Sequence, residues 1–289
     1  MDHKKRIINP EDIETRDFHQ FLLGAVAPRP IAFVSTVNAD GVVNLAPYSF
    51  FNVFSSNPPI AVFSSNRRVS NNTTKDTLAN LKTNPEAVIN VVDYSIVRQM
   101  AIASVEFPSD VSEFDKSGLT PTPGEVVSVP MVLESPASME CTVDEIIPLG
   151  EHGGAGHLII CKIHRLHVRE EAIEENGRLD PHKMDLMGRM GRAYYVRASG
   201  SNVFPIVQAV TQLCIGFDQL PTEIRESDYL TGNELAFLAG QREKPSDSAC
   251  QEAKTRFKND FSNTEAKHNL IKGLIAEKDI DSALALAFA

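Results

Sequence analysis

Clusters of basic residues are missing from this sequence of 289 residues, which carries 28 Lys and Arg against 38 Asp and Glu and has a net charge of −10. Contacts with nucleic-acid phosphates need clustered Lys and Arg, so nucleic-acid binding is excluded as a function class. A pocket for one phosphate-bearing small molecule needs only one or two basic groups and stays open. Long apolar runs are missing too: no stretch of about 18 apolar residues occurs, which excludes a membrane-spanning helix.

Metal-binding and disulfide patterns are also missing. The eight histidines are scattered and form no HExxH motif, so no metal site is predicted. The charged N-terminal residues are followed by no apolar signal region, and the expected location is the cytoplasm. The cysteines lie far apart without a CxxC pair and are expected to be reduced thiols; they are Cys141, Cys161, Cys214 and Cys250.

The first 199 residues contain a series of short strand patterns. Residues 30–37 are β-branched and aromatic, and Asp40-Gly41 follows them. This step is a hairpin signal, because glycine accepts the positive φ of such turns, and it predicts a second strand at about 42–46. Further strands are predicted at 60–63, 87–92 and 157–168. Many short strands at intervals indicate a mainly β barrel or sandwich.

A short helix is predicted between two of these strands, from Thr73 to Leu81. Thr and Asp stand at its start, leucines are spaced three residues apart, and Pro85 follows. The first-turn amides of a helix lack partners, and the helix dipole favours negative charge there. A hydroxyl-rich loop before such a helix is therefore a place where an anion can bind, although many helices begin in this way.

From about residue 200 the pattern becomes helical. Thr231–Glu234 and Ser262–Glu265 have the form of a capping box, in which a glutamate bonds back to the capping residue, and apolar helical patterns follow both. We therefore predict two domains, 1–199 and 200–289, the second being an α-helical extension. Its apolar tail, Leu284 to Phe288, is expected to pack on the barrel or on a second subunit.

Several sequence blocks together resemble the flavin reductase-like family of FMN-binding split β-barrels, of the flavoredoxin or NAD(P)H:flavin oxidoreductase type. The blocks are Pro28–Thr36, Gly41, Asn44–Asn52, Pro58-Pro59, Lys75–Leu78, Glu113-Phe114, Ser117–Thr120, Pro130, Glu134–Pro136, Glu140-Cys141 and Gly156–Ile160. They cover about residues 15–197. Several matched blocks in the same order are specific for the family, whereas any one block alone would not be. The resemblance implies a split barrel that binds FMN and forms a homodimer. An unpaired chain would leave the aromatic run at 48–54 exposed.

The resemblance also implies which residues hold the flavin. Those expected to line it are Ser35, Thr36, Asn44, Ala46, Pro47, Tyr48, Ser49 and Asn52. Those expected on the phosphate and ribityl side are Ser64, Ser65, Lys75, Asp76 and Thr77. FMN needs backbone groups, hydroxyls, a cation and an apolar wall, and these residue types provide them. Lys75 is the expected partner of the phosphate; Asp76, which a phosphate would repel, is the expected acceptor for a ring N–H.

The predicted catalytic residue is His157, which the resemblance places on the nicotinamide side of the flavin; the alternative is a buried strand histidine. Gly156 precedes it, where an acid is common in the family. Arg29 has a structural or a cofactor role, and Arg67-Arg68 either contacts phosphate or forms a solvated turn. Tyr48 is alternatively a core or interface aromatic.

The leading hypothesis is an FMN-dependent reductase that passes electrons from NADH or NADPH to free flavin or another small-molecule acceptor. No GxGxxG dinucleotide motif is present, so the nicotinamide cofactor is expected as a transient co-substrate. A second hypothesis is an FMN-binding electron carrier or flavin-storage protein without nicotinamide activity. A third is an enzyme similar to pyridoxamine-phosphate oxidase, disfavoured because Pro28–Thr36 and Asn44–Asn52 belong to the reductase side.

Overall fold

The computed structural model describes residues 4–206, 211–260 and 263–289. The chain divides into two compact units, Met1–Phe204 (unit 1) and Pro205–Ala289 (unit 2). The sequence analysis places this boundary between residues 199 and 200.

The strands belong to unit 1. They are β1 (Ala32–Val37), β2 (Val43–Tyr48), β3 (Phe51–Ser56), β4 (Pro59–Ser64), β5 (Glu86–Val91), β6 (Pro121–Thr122), β7 (Met131–Val132), β8 (Ala137–Pro148), β9 (His157–Val168), β10 (Met187–Arg189) and β11 (Tyr195–Arg197). A seven-stranded antiparallel sheet has the order β2-β1-β5-β8-β9-β4-β3, while β6 pairs with β7 and β10 with β11.

Short helices connect these strands. They are α1 (Thr15–Ala25), α2 (Asp76–Thr83), α3 (Val97–Ile102), α4 (Glu113–Ser117) and α5 (Pro181–Met184), with 3-10 turns at Pro10–Asp12, Glu170–Ala172 and Gly200–Asn202. Both faces of β1 are buried: Val34 packs in a core with Phe63 and Ile159, and Phe33 packs in a second core with Met100 of α3. This follows from the alternation of side chains along a strand.

The two edge strands of the seven-stranded sheet are joined by a very short link. β2 and β3 lie at opposite edges of the seven-stranded sheet, yet only Ser49 and Phe50 connect them. Two residues span about 7 Å, so the sheet must curl until its two edge strands are neighbours. In addition, Ser64 N of β4 donates to Phe50 O at 2.8 Å. The curled sheet is therefore barrel-like with a split between β2 and β3.

The predicted hairpin is confirmed. Gly41 has a φ of +81°, and Asn38 N donates to Val42 O at 3.0 Å, while β1 and β2 pair from Val37 and Val43 onward. Each predicted strand is present within one or two residues, and 157–168 coincides with β9. The strands that were not predicted are β3, β6, β7, β8, β10 and β11. In β8, buried Glu140 and exposed acids break the apolar pattern.

Helix α2 begins later than the sequence predicts, at Asp76 instead of Thr73. The two threonines are used by the preceding loop: Thr73 Oγ1 donates to Asn71 Oδ1 at 2.7 Å, and Arg68 donates to Thr73 Oγ1 and to Thr74 O. They are therefore not helix caps, and Lys75 takes the capping position without a side-chain bond.

Unit 2 is helical. Its elements are a 3-10 turn at Phe217–Gln219 and the helices α6 (Thr222–Arg225), α7 (Gly232–Ala239), α8 (Asp247–Arg256), α9 (Thr264–Ala276) and α10 (Ile280–Phe288). The capping box at Thr231 is confirmed, with reciprocal bonds to Glu234. The predicted cap Ser262 lies outside the described residues, and Asn263 Oδ1 accepts from Ala266 N at the start of α9.

The apolar tail packs within its own unit, which corrects the expectation that it covers the barrel or a second subunit. Helix α10 contacts α7, α8 and α9, and its residues from Ala283 to Ala287 are all buried. The apolar run of α10 is therefore part of the core of unit 2, while Asp281 in its first turn is exposed. Within the described residues, every helix falls short of the length and hydropathy that crossing a membrane requires.

Candidate functional site

A cleft opens in unit 1 between β2, the start of α2 and the segment 103–107. Five of the predicted site residues line it, together with Arg68 and Glu113; the five are Asn44, Ala46, Lys75, Asp76 and Thr77. A groove of about 200 Å³ continues along the end of β2, lined by Pro47, Tyr48 and Ser49 and sharing Ser104 with the cleft. Because β2 is an edge strand, one side of its backbone has no strand partner.

Lys75 and Arg68 are the two cations among the residues that line the cleft. Burial, and secondarily the positive charge of Arg68, lower the pKa of Lys75 below its usual range. Its Nζ lies 4.9 Å from the centroid of the Tyr48 ring. The ion pairs formed by the described residues do not include Lys75. A desolvated ammonium without a carboxylate partner favours the binding of an anion.

Two buried hydroxyls have no hydrogen-bond partner among the described residues: Tyr48 Oη, whose ring lies beside Lys75, and Ser65 Oγ, which is near Tyr48. Burial raises the pKa of Tyr48 to about 12, and the nearby Thr77 and Ser65 hydroxyls oppose this rise without completing a hydrogen bond. An unsatisfied buried polar group costs roughly 1–3 kcal/mol, so a polar ligand that bonds to both hydroxyls would remove that cost.

A hydrogen-bond network fixes the floor of the cleft. Thr77 Oγ1 donates to Asn44 Oδ1 at 2.8 Å, and Asn44 Nδ2 donates to Glu113 Oε2 at 3.0 Å. Thr36 Oγ1 accepts from Asn80 Nδ2 at 3.0 Å and lies 3.4 Å from Asn44 Oδ1. Asn44 and Thr36 are thus bonded inside the protein, and their flavin contacts stay predictions.

Glu113 was not predicted as a site residue. Its Oε2 also accepts from Leu45 N at 2.9 Å. Burial raises its pKa, and the bonds from Leu45 and Asn44 oppose the rise. Glu113 lies far from Asn44 in sequence, and its place in the Glu113-Phe114 block is the only signal that could have identified it.

Three predicted residues lie away from the cleft. Ser35 is fully buried and its Oγ donates to Pro130 O at 2.6 Å, on the face of β1 opposite Thr36. Asn52 is exposed, and its Oδ1 accepts from its neighbour Val53 N. Ser64 Oγ donates to Asn66 Oδ1 at 2.8 Å. Their flavin contacts stay predictions.

His157 is buried at the start of β9. Its Nδ1 lies 3.1 Å from Ser65 O, and the backbones of His157 and Ser65 are bonded in both directions. These contacts fit the alternative of a satisfied strand histidine, and the catalytic role stays a prediction. The preceding Gly156 has little room for a side chain, because a Cβ there would lie 2.5 Å from Ser64 Oγ. An acid at this position would displace the bond between Ser64 and Asn66.

The arginines of the motifs hold loops. Arg29 is buried and donates to Leu23 O, Val26 O and Met190 O. These bonds fit the structural one of its two predicted roles. Arg67 bonds to the side chain and carbonyl of Asn72. Arg68 pairs with Glu106 as well as with the 73–74 segment, so it lines the cleft with part of its charge already neutralised. The part of the chain that the structure describes contains no group of three His, Cys, Asp or Glu suited to a metal ion.

Comparison with known proteins identifies the family. A family model described as the flavin reductase like domain matches residues 24–197. The chain belongs to the flavin reductase-like family. The match covers most of unit 1 and none of unit 2, so the helical unit stands outside the family domain.

Relatives of this flavin reductase-like domain match the chain over most of their own length. An uncharacterized protein of Aquifex aeolicus is 37% identical over 182 residues, which are 63% of this chain and 90% of that one. Among solved structures, component B of nitrilotriacetate monooxygenase from Bacillus cereus is 34% identical with a TM-score of 0.66, covering 71% of this chain and all of its own. The 2-nitrobenzoate 2-nitroreductase NbaA of Pseudomonas fluorescens is 29% identical with a TM-score of 0.63, covering 71% and 98%.

The predicted fold class is confirmed. A Shewanella frigidimarina protein with a split barrel domain superposes with a TM-score of 0.58 over 68% of this chain and 96% of its own, at 24% identity. The flavin reductase-like domain is thus a mainly β split barrel with short helices, followed by an α-helical C-terminal extension.

Proposed function

We propose that this chain binds FMN in the cleft beside β2 and catalyses electron transfer from NADH or NADPH to free flavin or another small-molecule acceptor. The observation that carries the proposal is the convergence of an unpaired, desolvated Lys75 with the unsatisfied hydroxyls of Tyr48 and Ser65. Membership of the flavin reductase-like family supports the same cofactor class.

The residues of the cleft fit the groups of FMN. Lys75, with the N-terminal amides of α2, would hold the phosphate, because both offer positive charge and hydrogen-bond donors. The hydroxyls of Tyr48, Ser65 and Thr77 suit the ribityl chain, whose own hydroxyls both donate and accept. Ala46 and Pro47 are small or rigid residues on an edge strand, which leaves room for a flat ring against the backbone.

Bound FMN would supply the redox chemistry, and the protein would supply binding and orientation. The bonds from Glu113 through Asn44 to Thr77 hold the Thr77 hydroxyl in one direction. Asp76 lines the same cleft and is placed to accept a hydrogen bond from an N–H group. Ordering these groups before the ligand arrives lowers the entropic cost of binding.

Similarity to two oxidoreductases favours an enzyme over a storage protein. One is a component of a monooxygenase and the other reduces an aromatic nitro compound, according to their names. Each covers 71% of this chain. The names support a small-molecule acceptor without specifying which one this chain uses.

A homodimer forms the second part of the proposal. Val53 and Phe54 of the edge strand β3 are 52% and 70% exposed, and a second copy would cover them. Sedimentation equilibrium at micromolar concentration tests this: a monomeric mass with flavin still bound would refute the dimer.

The test of function is an absorbance spectrum followed by anaerobic titration with NADH and NADPH. We expect a bound flavin with FMN stoichiometry near one per chain, and loss of its absorbance on titration. Bound flavin that neither dinucleotide reduces would point to the electron-carrier alternative. Purified protein that takes up no FMN would refute the proposal.

A further inference from the structure

A second cationic feature lies at the far end of the groove. Arg189 of β10 and Tyr195 of β11 form the wall that faces Pro47, Tyr48 and Ser49. The guanidinium carbon of Arg189 lies 4.5 Å from the centroid of the Tyr195 ring. The two residues are also direct partners across the β10–β11 ladder, so an exposed planar ring and a cation stand side by side.

The position of Arg189 is fixed by the backbone. Arg189 and Arg29 exchange two backbone hydrogen bonds, of 3.0 Å and 2.8 Å, which attach β10 to the chain just before β1. Arg189 Nη1 donates to Tyr194 O at 3.0 Å, which orients the guanidinium. A preorganised arginine loses less entropy on binding than a free one.

The charge of Arg189 is not neutralised by the protein. The ion pairs of residues 4–206 include neither Arg189 nor Arg29. The proximity of the two guanidinium groups, after burial itself, lowers the pKa of Arg29. Two cations without a carboxylate repel each other, and an anion between or beside them would relieve that repulsion.

Arg197 on the same hairpin shows the contrast. It stacks on Tyr94, 3.9 Å from the ring centroid, and both of its guanidinium bonds go to Asp185 at 2.7 Å. The hairpin therefore carries two stacked arginines, one paired with a carboxylate in a fork and one facing the groove without a carboxylate. Arg197, which is paired with Asp185, needs no ligand to neutralise its charge.

We propose that Arg189 and Tyr195 form a substrate subsite at the end of the groove, which binds an anionic group carried by a planar ring system. The ring stacks against Tyr195 beside the unpaired edge of β2, and a carboxylate or phosphate bonds to Arg189. The subsite rests on the proposed function, since it gives the class of molecule that meets the cofactor in this groove. Two sources offer an anion beside a planar ring: the additional phosphate of NADPH, on the ribose next to the adenine ring, and the carboxylate of an aromatic acid.

The test compares 2-naphthoate with its neutral analogue 2-naphthamide by calorimetry on the protein as purified. For the native chain we expect 2-naphthoate to bind about tenfold to hundredfold more tightly, the range of a charge-assisted bond. Arg189→Ala should remove this preference, Arg189→Lys should keep part of it, and the matched control Arg197→Ala should leave it unchanged. If Arg189→Ala keeps the preference, or if Arg197→Ala loses it equally, the proposal is wrong.

A second arm identifies the source of the anion. The ratio of the KM values for NADH and NADPH is measured in the native chain and in Arg189→Ala. A KM for NADPH that rises about tenfold, with the KM for NADH unchanged, would assign the subsite to the donor phosphate. An unchanged ratio together with a lost 2-naphthoate preference would assign it to an aromatic acid. Calorimetry needs no turnover, so a protein that fails to oxidise either dinucleotide but keeps an Arg189-dependent preference would refute the proposed function alone.

Discussion

The two units of this chain bury very different kinds of residue. Among the described residues, buried polar and charged side chains occur throughout unit 1, while His268 is the one that unit 2 contributes. Unit 2 is held by an apolar core that includes Leu238, Ile271 and Leu286. Burying a polar group costs free energy unless the group is hydrogen-bonded. Unit 1 therefore contains many buried polar groups that its stability alone does not require. The difference indicates that the chemistry belongs to unit 1.

Glu140 shows how unit 1 satisfies such groups. Its side chain is fully buried, and Oε2 accepts from three successive backbone N–H groups at 125–127, while Oε1 lies 2.6 Å from His167 Nε2. Burial alone would raise its pKa, but the His167 bond and the amides lower the pKa of Glu140 overall. Both carboxylate oxygens of Glu140 thus have hydrogen-bond partners, whereas the hydroxyls of Tyr48 and Ser65 have none among the described residues. Within unit 1, the described side chains that are buried without a hydrogen-bond partner are thus Tyr48 and Ser65.

The largest expected effect is on unit 2. Leu238 is fully buried, and Leu238→Ala should destabilise unit 2 by about 2–5 kcal/mol through lost contacts and a cavity. If the chemistry belongs to unit 1, the affinity for FMN should not change. Hydrogen exchange of the α7 and α9 peptides in the full chain measures the first effect, and flavin fluorescence quenching measures the second. Phe237→Ala, at a half-exposed neighbour, is the control; an equal loss of FMN affinity in Leu238→Ala would show that the two units are not functionally separate.

Next in size is the effect of removing the Lys75 cation. Lys75→Ala should weaken FMN binding by about tenfold to hundredfold, because a charge-assisted bond contributes about 1.5–3 kcal/mol, and it should leave riboflavin binding nearly unchanged. Thr77→Ala should act in the same direction but less. Lys82→Ala, at the exposed end of the same helix, is the matched control. Equal losses for FMN and riboflavin would mean that Lys75 does not contact the phosphate.

His157 tests whether unit 1 contains a catalytic histidine or only a binding cleft. If it orients the nicotinamide, His157→Ala should slow flavin reduction about thirtyfold, the equivalent of about 2 kcal/mol, with full FMN occupancy. If it only satisfies the Ser65 carbonyl, stability and FMN content should fall together. Stopped-flow reduction by NADH, with Tm and flavin content on the same sample, separates the two. A normal rate with normal flavin content would remove His157 from the mechanism.

The smallest expected effect is a pH dependence confined to unit 2. His268 Nδ1 lies 2.7 Å from Ser227 Oγ, and its Nε2 is buried 3.6 Å from Glu223 without a hydrogen bond. Burial lowers the pKa of His268, which Glu223 partly opposes. The unfolded chain therefore binds the proton more readily, and the stability of unit 2 should be complete above the ordinary histidine pKa of about 6.5 and fall as the pH drops below it.

This pH effect is measured as exchange protection of the α9 peptide in the full chain at pH 7.5 and 5.5, corrected for the intrinsic exchange rate. Protection should decrease by less than about tenfold for each pH unit below 6.5. His268→Gln should abolish the dependence, and Glu223→Gln should strengthen it. A dependence that persists in His268→Gln would assign it to another group.

The sequence predicts the strands of unit 1 better than it predicts the site. The Asp40-Gly41 turn and the apolar run of β9 act locally, so short patterns were sufficient. The start of α2 was wrong because Arg68 and Asn71 compete for Thr73 and Thr74, and such competition is visible only in three dimensions. The family blocks grouped Lys75 with Tyr48, and the structure places the Lys75 ammonium 4.9 Å from the Tyr48 ring centroid.

What the sequence did not predict depends on long-range contacts. Glu113 reaches Asn44 across about seventy positions, and Arg189 reaches the groove from the end of the domain. Ser35 and Thr36 are adjacent in β1 and point to opposite faces, and the bond from Ser35 to Pro130 is a contact that the sequence did not predict. Spacing along the chain contains no information on such pairings until the sheet order is known.

The two-residue link between β2 and β3 has a consequence for how this chain can vary in length. Each inserted residue adds about 3.3 Å of reach, so one insertion between Ser49 and Phe50 would let the two edge strands separate and would shift the side chains of β3 to the other face. The Asn38–Val42 turn joins two strands that are already neighbours in the sheet, so it carries no such restraint. Insertions and deletions among natural relatives should therefore accumulate at this turn and avoid the link. The same reasoning makes the Asn38–Val42 turn, rather than the link, the place to introduce a peptide tag or a circular permutation.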